Sequence, residues 1–355
     1  MQRREFFKAG AAAAAVGLSY TIAGAEEAAQ TGNQYQPIYA GRTGKFIPGW
    51  GDQAVEHITA YNPDFADKDL WIRKDNQCLA TYRTGPNQKY PYLYPMVGPK
   101  SMVTLLTESS QPWPHHRGCF LGEDRVNGGN YWQGGRKDGQ ILSQGVKIVS
   151  CDEKKIVWTD EGVWKKPDQD PIITDTRKYT IDWRCDDYYI LDLEYARTML
   201  VDVKCESTNH GFFGVRVAQD VCPDGGGELV SDAGVFRQAD NEKKAHKWMA
   251  YYGKRRFNPA ITEGCAVFCA PAAAWKDWGV DGDCPWLVRD YGNISPLPYY
   301  IKGAEFPAGT VQKMNFRAVF FAGTAQDIDL NGLWNEIYGQ RELVICNYTL
   351  RRSKV

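Results

Sequence analysis

Lys178-Tyr-Thr-Ile-Asp-Trp183 and Asp187-Tyr-Tyr-Ile-Leu-Asp-Leu-Glu-Tyr195 decide the fold class of this chain. Apolar and polar side chains alternate along both runs, and a period of two puts one set in a core and the other in water only when the backbone is extended. The residues around Arg184 to Asp187 are polar and few, so the two runs read as an antiparallel hairpin with one wet face. Working outward, similar short runs recur between clusters of Gly, Pro, Asn and Asp: 78–83, 145–150, 155–159, 212–218, 265–269 and 316–321. Strands do not alternate with helices, which disfavours doubly wound and α/β-barrel folds. The expectation is an all-β, mostly antiparallel sandwich. Leu330-Asn-Gly-Leu-Trp-Asn-Glu-Ile-Tyr338, with Asp329 as N-cap, reads as one short helix that closes the sandwich near the C-terminus. No repeat or linker divides the chain, so residues 53–355 are expected to form a single domain behind an unpatterned segment, 26–52.

The chain begins with Arg3-Arg4-Glu5-Phe6-Phe7-Lys8, continues through an apolar stretch from Ala9 to Ile22 and reaches the small residues Ala23-Gly24-Ala25. That order reads as a twin-arginine export signal over 1–25, which sends the protein to the periplasm or beyond. After it, no apolar run approaches the roughly 20 residues of a membrane span. With 42 basic and 43 acidic side chains there is no positive excess for a nucleic-acid backbone. The 12 Trp and 20 Tyr suit sheet cores and also the flat surfaces on which sugars stack. Ten Cys show no Cys-x-x-Cys spacing, so no zinc ribbon is expected, and their pairing is left open, as is the oligomeric state.

Chemistry-bearing residues are densest in Pro114-His-His-Arg-Gly118, followed by Gly122-Glu-Asp-Arg-Val-Asn-Gly128 and Tyr131-Trp132. An imidazole acts as base, acid or polar contact, so His115 and His116 are candidate catalytic groups. Neighbours on a regular strand point to opposite faces, so one of the two is expected to be structural. In Pro285-Trp-Leu-Val-Arg-Asp-Tyr-Gly292, Arg289 and Asp290 read either as a surface ion pair or as cleft residues with Trp286 or Tyr291 as an aromatic wall. Arg216 interrupts the apolar run Phe212–Ala218 and needs a partner or a ligand. A metal would need about three ligands, and His115, His116, His210 and His246 could converge only through the fold, so no metal is assigned. A two-carboxylate glycosidase would need Asp290 opposite Glu123 or Asp124. No nucleophile elbow, phosphate loop, dinucleotide fingerprint or His-Glu-x-x-His is present.

Taken in order, Pro91-Tyr-Leu-Tyr-Pro95, Pro114-His-His-Arg-Gly118, Val126-Asn-Gly128 with Trp132, Gly214-Val-Arg-Val-Ala218, His246-Lys-Trp-Met-Ala-Tyr-Tyr-Gly253, Gly264-Cys-Ala-Val-Phe268 and Trp286-Leu-Val-Arg-Asp-Tyr-Gly292 resemble a large bacterial family labelled PmoA-like or "methane oxygenase". The resemblance spans about residues 70–323. Methane oxidation is set aside, because that chemistry belongs to an integral membrane subunit and this chain shows no span after its leader. The resemblance implies a large β-sandwich similar to the galactose-mutarotase supersandwich, and a carbohydrate substrate. It implies a pocket of His115, His116, Arg117, Asn127, Arg216, Arg289 and Asp290; His115, His116 and Asp290 are read as its catalytic residues, and Trp132 and Tyr291 join the others as substrate-binding residues. The chain departs from that pattern at Glu123, Arg125, Asn130 and Asp175. The resulting expectation is an exported carbohydrate-active enzyme that cleaves a glycoside by hydrolysis or β-elimination with a His/Asp acid–base pair and no cofactor. A mutarotase or epimerase, or a non-catalytic glycan-binding protein, is the alternative.

Overall fold

Both alternating runs are strands, and they pair with each other. Ile173–Cys185 and Tyr188–Met199 form an antiparallel hairpin in which Tyr179 faces Leu193 and Ile181 faces Leu191. A computed structural model describes residues 38–39, 58–61 and 69–339, apart from 109, 111 and 112. The export signal read at 1–25 and most of the segment 26–52 lie outside the described residues.

The strands assemble into two large antiparallel sheets. One runs, in spatial order after Ile38–Tyr39 and Ile58–Tyr61, through Leu70–Lys74, Gln77–Arg83, Tyr92–Met96, Cys119–Val126, Gly211–Arg216, Asn293–Pro296 and Trp286–Arg289. The other runs through Glu228–Ser231, Trp248–Arg255, Asn258–Phe268, Val311–Ala322, Tyr188–Met199, Ile173–Cys185, Lys155–Lys165 and Gln140–Ser143. The expected all-β sandwich is therefore what the chain forms. Several strands extend beyond the apolar runs that announce them, because polar residues continue the extended backbone once its neighbours pair with it.

Period-two alternation sorts the second sheet's side chains between two cores. On Tyr188–Met199, Tyr189, Leu191, Leu193 and Tyr195 enter the main core, whereas Ile190 enters a smaller one behind the sheet. On Val311–Ala322, Phe316, Ala318 and Phe320 take the first side and Val319 and Phe321 the second. The smaller core is covered by the helix Leu330–Tyr338, which contributes Leu330 and Leu333. Asp329 caps that helix as expected, its Oδ1 accepting from the Gly332 amide at 2.8 Å. No helix among the described residues is long and apolar enough to cross a membrane.

Charged groups cross the main core in opposite-charge pairs. Arg177 donates twice to Asp175, both at 2.8 Å, and Trp164 Nε1 donates to the same carboxylate. Arg197 bridges the two sheets, donating to Glu123 at 2.5 Å, to Gln312 at 2.6 Å and to the Tyr299 hydroxyl at 3.0 Å. Buried charge is tolerated when opposite charges are paired in this way, although Arg177 Nη1 and Glu123 Oε1 have no hydrogen-bond partner among the described residues.

Candidate functional site

The strand Cys119–Val126 fixes the site. Glu123 faces the second sheet and Arg197, so by alternation Phe120, Gly122 and Asp124 face the opposite side. Asn127 and Gly128, with φ of 48° and 63°, then turn the chain as the two central residues of a tight hairpin, a pair suited to positive φ. The returning chain lays Trp132 across the strand at Gly122, where an added side chain would collide with the Tyr131 carbonyl at 2.9 Å and press on the Trp132 ring at 3.1 Å. Asn130 Oδ1 holds that arm by accepting from the amides of Trp132 at 3.0 Å and Gln133 at 2.7 Å. Gly211–Arg216 pairs with Cys119–Val126 and brings the preceding residues Asn209 and His210 beside Asp124.

A cleft of about 280 Å³ results. Trp113, His115, His116 and Trp132 line one part of it, Gln133, Asn209 and His210 a second, and Leu287, Arg289 and Tyr291 a third. Among the described residues, no carboxylate lines it. The rings form a continuous aromatic wall. His116 lies 4.8 Å from Trp132 at 30° and 5.9 Å from Tyr291 at 35°, His115 meets Trp132 edge-on at 5.0 Å, and His210 lies 5.6 Å from Trp132. Three of the four histidines that could have converged on a metal do meet here. Even so, no three His, Cys, Asp or Glu side chains among the described residues are grouped to hold one.

The three imidazoles have different electrostatic surroundings. Burial, followed by the positive charges of His210, Arg117 and Arg216, pushes His115 down to about 4. Burial, then His115 and Arg216, pushes His116 down to about 2. Both are neutral at pH 7. His210 Nδ1 instead lies 2.8 Å from Asp124 Oδ2. Burial raises the Asp124 carboxyl, but the hydrogen bond and charge of His210 outweigh it and hold the carboxyl below its ordinary value. An ionised carboxylate only accepts, so Nδ1 carries the proton, and Nε2 is the nitrogen left to exchange one. Thr208 and Gln133 also donate to Asp124 Oδ2, at 3.3 and 3.4 Å.

The opposite wall is held from behind. Glu242 accepts from the Val288 amide at 2.9 Å, from Arg289 Nη1 at 2.5 Å and from the Tyr300 hydroxyl. Burial lowers the Arg289 pKa, but the bonds to Glu242 and Tyr300 outweigh it, so the guanidinium is charged. Arg216 lies beneath the wall, its guanidinium 4.4 Å over the Tyr291 ring.

The structure thus gathers His115, His116, Trp132, Arg289 and Tyr291 into one cleft and sets Arg216 directly behind it. Both adjacent histidines reach the cleft, contrary to the expectation that one is structural. Residues 113–118 form an irregular turn rather than a strand, which frees neighbouring side chains from opposite faces. Three expected site residues face other partners. Arg117 donates to Gln88 at 2.8 Å and lies 5.9 Å from the Tyr92 ring. Asn127 is exposed in its turn and bonds Asp202 O and the Lys204 amide. Asp290 accepts from the Gln238 amide at 3.0 Å and does not line the cleft, so it forms no acid–base pair with His115 or His116. The carboxylate that meets an imidazole of the cleft is Asp124. His210 gave no motif signal, being a lone histidine in a loop.

The solved structures that this chain is similar to are alike only at low identity and low TM-score. A glycosyl hydrolase family 38 protein from Enterococcus faecalis is 9% identical with a TM-score of 0.32, covering 84% of this chain and 34% of its own. A TPR-domain containing protein from Parabacteroides distasonis is 10% identical with a TM-score of 0.25, covering 75% and 46%. Galactose 1-epimerase from Lactobacillus acidophilus is 11% identical with a TM-score of 0.26, covering 77% and 93%. The chain spans less than half the length of the first two. No curated protein matches it. The resemblance to the PmoA-like family is not upheld, for no methane-oxygenase family matches either. Every motif that suggested it, from Pro91 to Gly292, falls instead inside residues 69–335, which match a family of unknown function, DUF6807; the chain belongs to that family.

Proposed function

We propose that this protein is an exported carbohydrate-active enzyme whose chemistry is proton transfer at a sugar bound in the His115–His210–Tyr291 cleft. The observation that carries the reading is the meeting of His210, oriented by Asp124, with an aromatic wall of Trp132, His116 and Tyr291. Flat rings at this spacing suit the apolar face of a pyranose, and an imidazole backed by a carboxylate is suited to take and return a proton near neutral pH. Hydrolysis by paired carboxylates needs two acids about 5–10 Å apart across the bond. With no carboxylate lining the cleft, β-elimination is the favoured mode of glycoside cleavage. Mutarotation or epimerisation is the second reading, because it too moves protons without paired carboxylates. Export rests on the twin-arginine leader alone.

The test is a turnover screen of the purified protein on polysaccharides and synthetic glycosides, following reducing ends and the absorbance of unsaturated products in parallel. Unsaturated products that disappear in His210→Ala are expected. Reducing ends without unsaturation would replace elimination by hydrolysis. A melting shift with one glycan and no turnover on any would leave a binding protein and sink the catalytic reading.

A further inference from the structure

We infer that the sugar taken by this cleft is acidic, with its ring carboxylate seated at the wall formed by Arg289, Trp132 and His116. The inference rests on the carbohydrate reading above and adds the charge of the substrate. Its first support is the balance of donors and acceptors. Arg289 and the Trp132 indole only donate, and the nearby acids are engaged elsewhere: Glu242 by Arg289, Asp124 by His210 and Asp290 by Gln238. A hydroxyl brought to this wall would add a proton with no carboxylate to accept it, whereas a carboxylate brings lone pairs and no proton.

Two buried polar atoms of the wall support the same choice. Trp132 Nε1 and His116 Nδ1 have no hydrogen-bond partner in the described residues, and their side chains are almost wholly buried, at 1% and 4% exposure. Buried polar atoms without a partner are uncommon in native proteins; a carboxylate oxygen meets the indole N–H, and it meets His116 Nδ1 in the tautomer that carries its proton there. The field points the same way. The guanidinium charges of Arg216 and Arg289 act on His116 in the same sense, disfavouring further positive charge there and so favouring a negative ligand.

An acidic sugar also completes the chemistry. The proton on the ring carbon beside a carboxylate is the acidic one. His210 Nε2 takes that proton, the released electron pair forms a ring double bond, and the neighbouring carbon–oxygen glycosidic bond breaks. The departing oxygen receives a proton from the Tyr291 hydroxyl, which burial keeps protonated. The His210 proton then returns to Tyr291 through solvent, so no external reactant is consumed.

The experiment compares a uronate oligosaccharide with the same oligosaccharide after chemical reduction of its carboxyl groups, by calorimetric binding and by turnover on the full chain. A sulfated neutral oligosaccharide serves as a third ligand. The uronate is expected to bind about tenfold or more tightly than its reduced counterpart, as a charge-assisted contact provides. Arg289→Gln should shrink that ratio about tenfold. If that variant misfolds because Glu242 loses its partner, the double variant Arg289→Gln, Glu242→Gln removes both charges together and should give the same shrinkage. Equal or tighter binding of the reduced sugar overturns the inference, as does a preference for the sulfated one or the binding of none of the three. Uronate preference without turnover keeps the acidic ligand and removes the enzymatic reading, whereas turnover without uronate preference does the reverse.

Discussion

Two histidines in this protein lean on aspartates in nearly the same way, yet their surroundings differ. His210 Nδ1 lies 2.8 Å from Asp124, and His246 Nδ1 lies 3.0 Å from Asp232. Each lines a cavity, of about 280 and 300 Å³ respectively. Around His210 stand two further imidazoles, two tryptophans, a tyrosine and a guanidinium. Around His246 stand Asp232 and Asp283, a lysine stacked on Trp334, and Cys269 and Cys284. Burial raises the Cys284 thiol well above its ordinary value, which leaves it unreactive as a nucleophile. The imidazole–carboxylate pair is thus a reusable unit of packing. What distinguishes the first copy is a wall of rings able to hold a ligand and the absence of any acid in the lining.

The comparison is broken most decisively by exchanging the two histidines' roles. His210→Ala should lower kcat by about 10²–10⁴ on whichever glycan the screen identifies, the usual contribution of a positioned acid–base group. His246→Ala should leave kcat within about twofold while costing about 1–3 kcal/mol of stability through the unpaired Asp232. Steady-state kinetics with a parallel melting curve decides the matter, and equal losses of activity in both variants would erase the distinction. Next in size, Asp124→Asn should cost about tenfold to a hundredfold in kcat, because a carboxamide no longer fixes the His210 tautomer. Asp232→Asn should not change the rate. Loss of kcat in Asp124→Asn at an unchanged KM and melting temperature would separate this positioning role from simple destabilisation.

A third prediction concerns the neutral pair. His115 and His116 are held near 4 and 2, below the ordinary 6.5, so the unfolded chain binds protons first as pH falls. Their contribution to stability is full above about pH 6.5 and is lost as the pH drops toward 4. The melting temperature should therefore decline across that window, and His116→Phe, which keeps a ring against Trp132, should flatten the decline. An unchanged slope would mean that the buried histidine does not titrate with folding. The smallest effects belong to residues that face elsewhere: Arg117→Gln, Asn127→Asp and Asp290→Asn should each leave kcat/KM within about twofold.

Legibility in the sequence followed locality. The hairpin through Arg184 and the helix capped by Asp329 were readable because their signals, alternation and a capping aspartate, lie within one segment. Which strands would become neighbours was not readable, and the site depends on that. His210 meets Asp124 only because Gly211–Arg216 pairs with Cys119–Val126 across a long stretch of intervening chain. His115, Trp132 and Tyr291 were found because aromatic and polar residues crowd their segments. Asp290 was misplaced by the same crowding. Leu287 and Arg289 are alternate residues of one strand and both face the cleft, so the next residue along faces away, toward Gln238. Asn127 was taken as a ligand for a sugar when its geometric task, the positive-φ turn before Gly128, already accounts for it.

Consecutive residues of one strand, Glu123 and Asp124, serve the interior bridge to Arg197 and the dyad with His210. Because their directions are opposed by the parity of the backbone, a slip of a single residue would misdirect both at once. Shifted one way it would bring Asp124 to the bridge and Arg125 to the dyad, and shifted the other way Gly122 and Glu123, so at least one of the two pairs loses its carboxylate. Catalytic alignment and foldability are thereby tied to one binary variable, so a population with the wrong parity should be eliminated by instability before it could persist as a folded but inactive form. Insertions in the outer loops escape that coupling, whereas a single added residue between Cys119 and Asp124 does not.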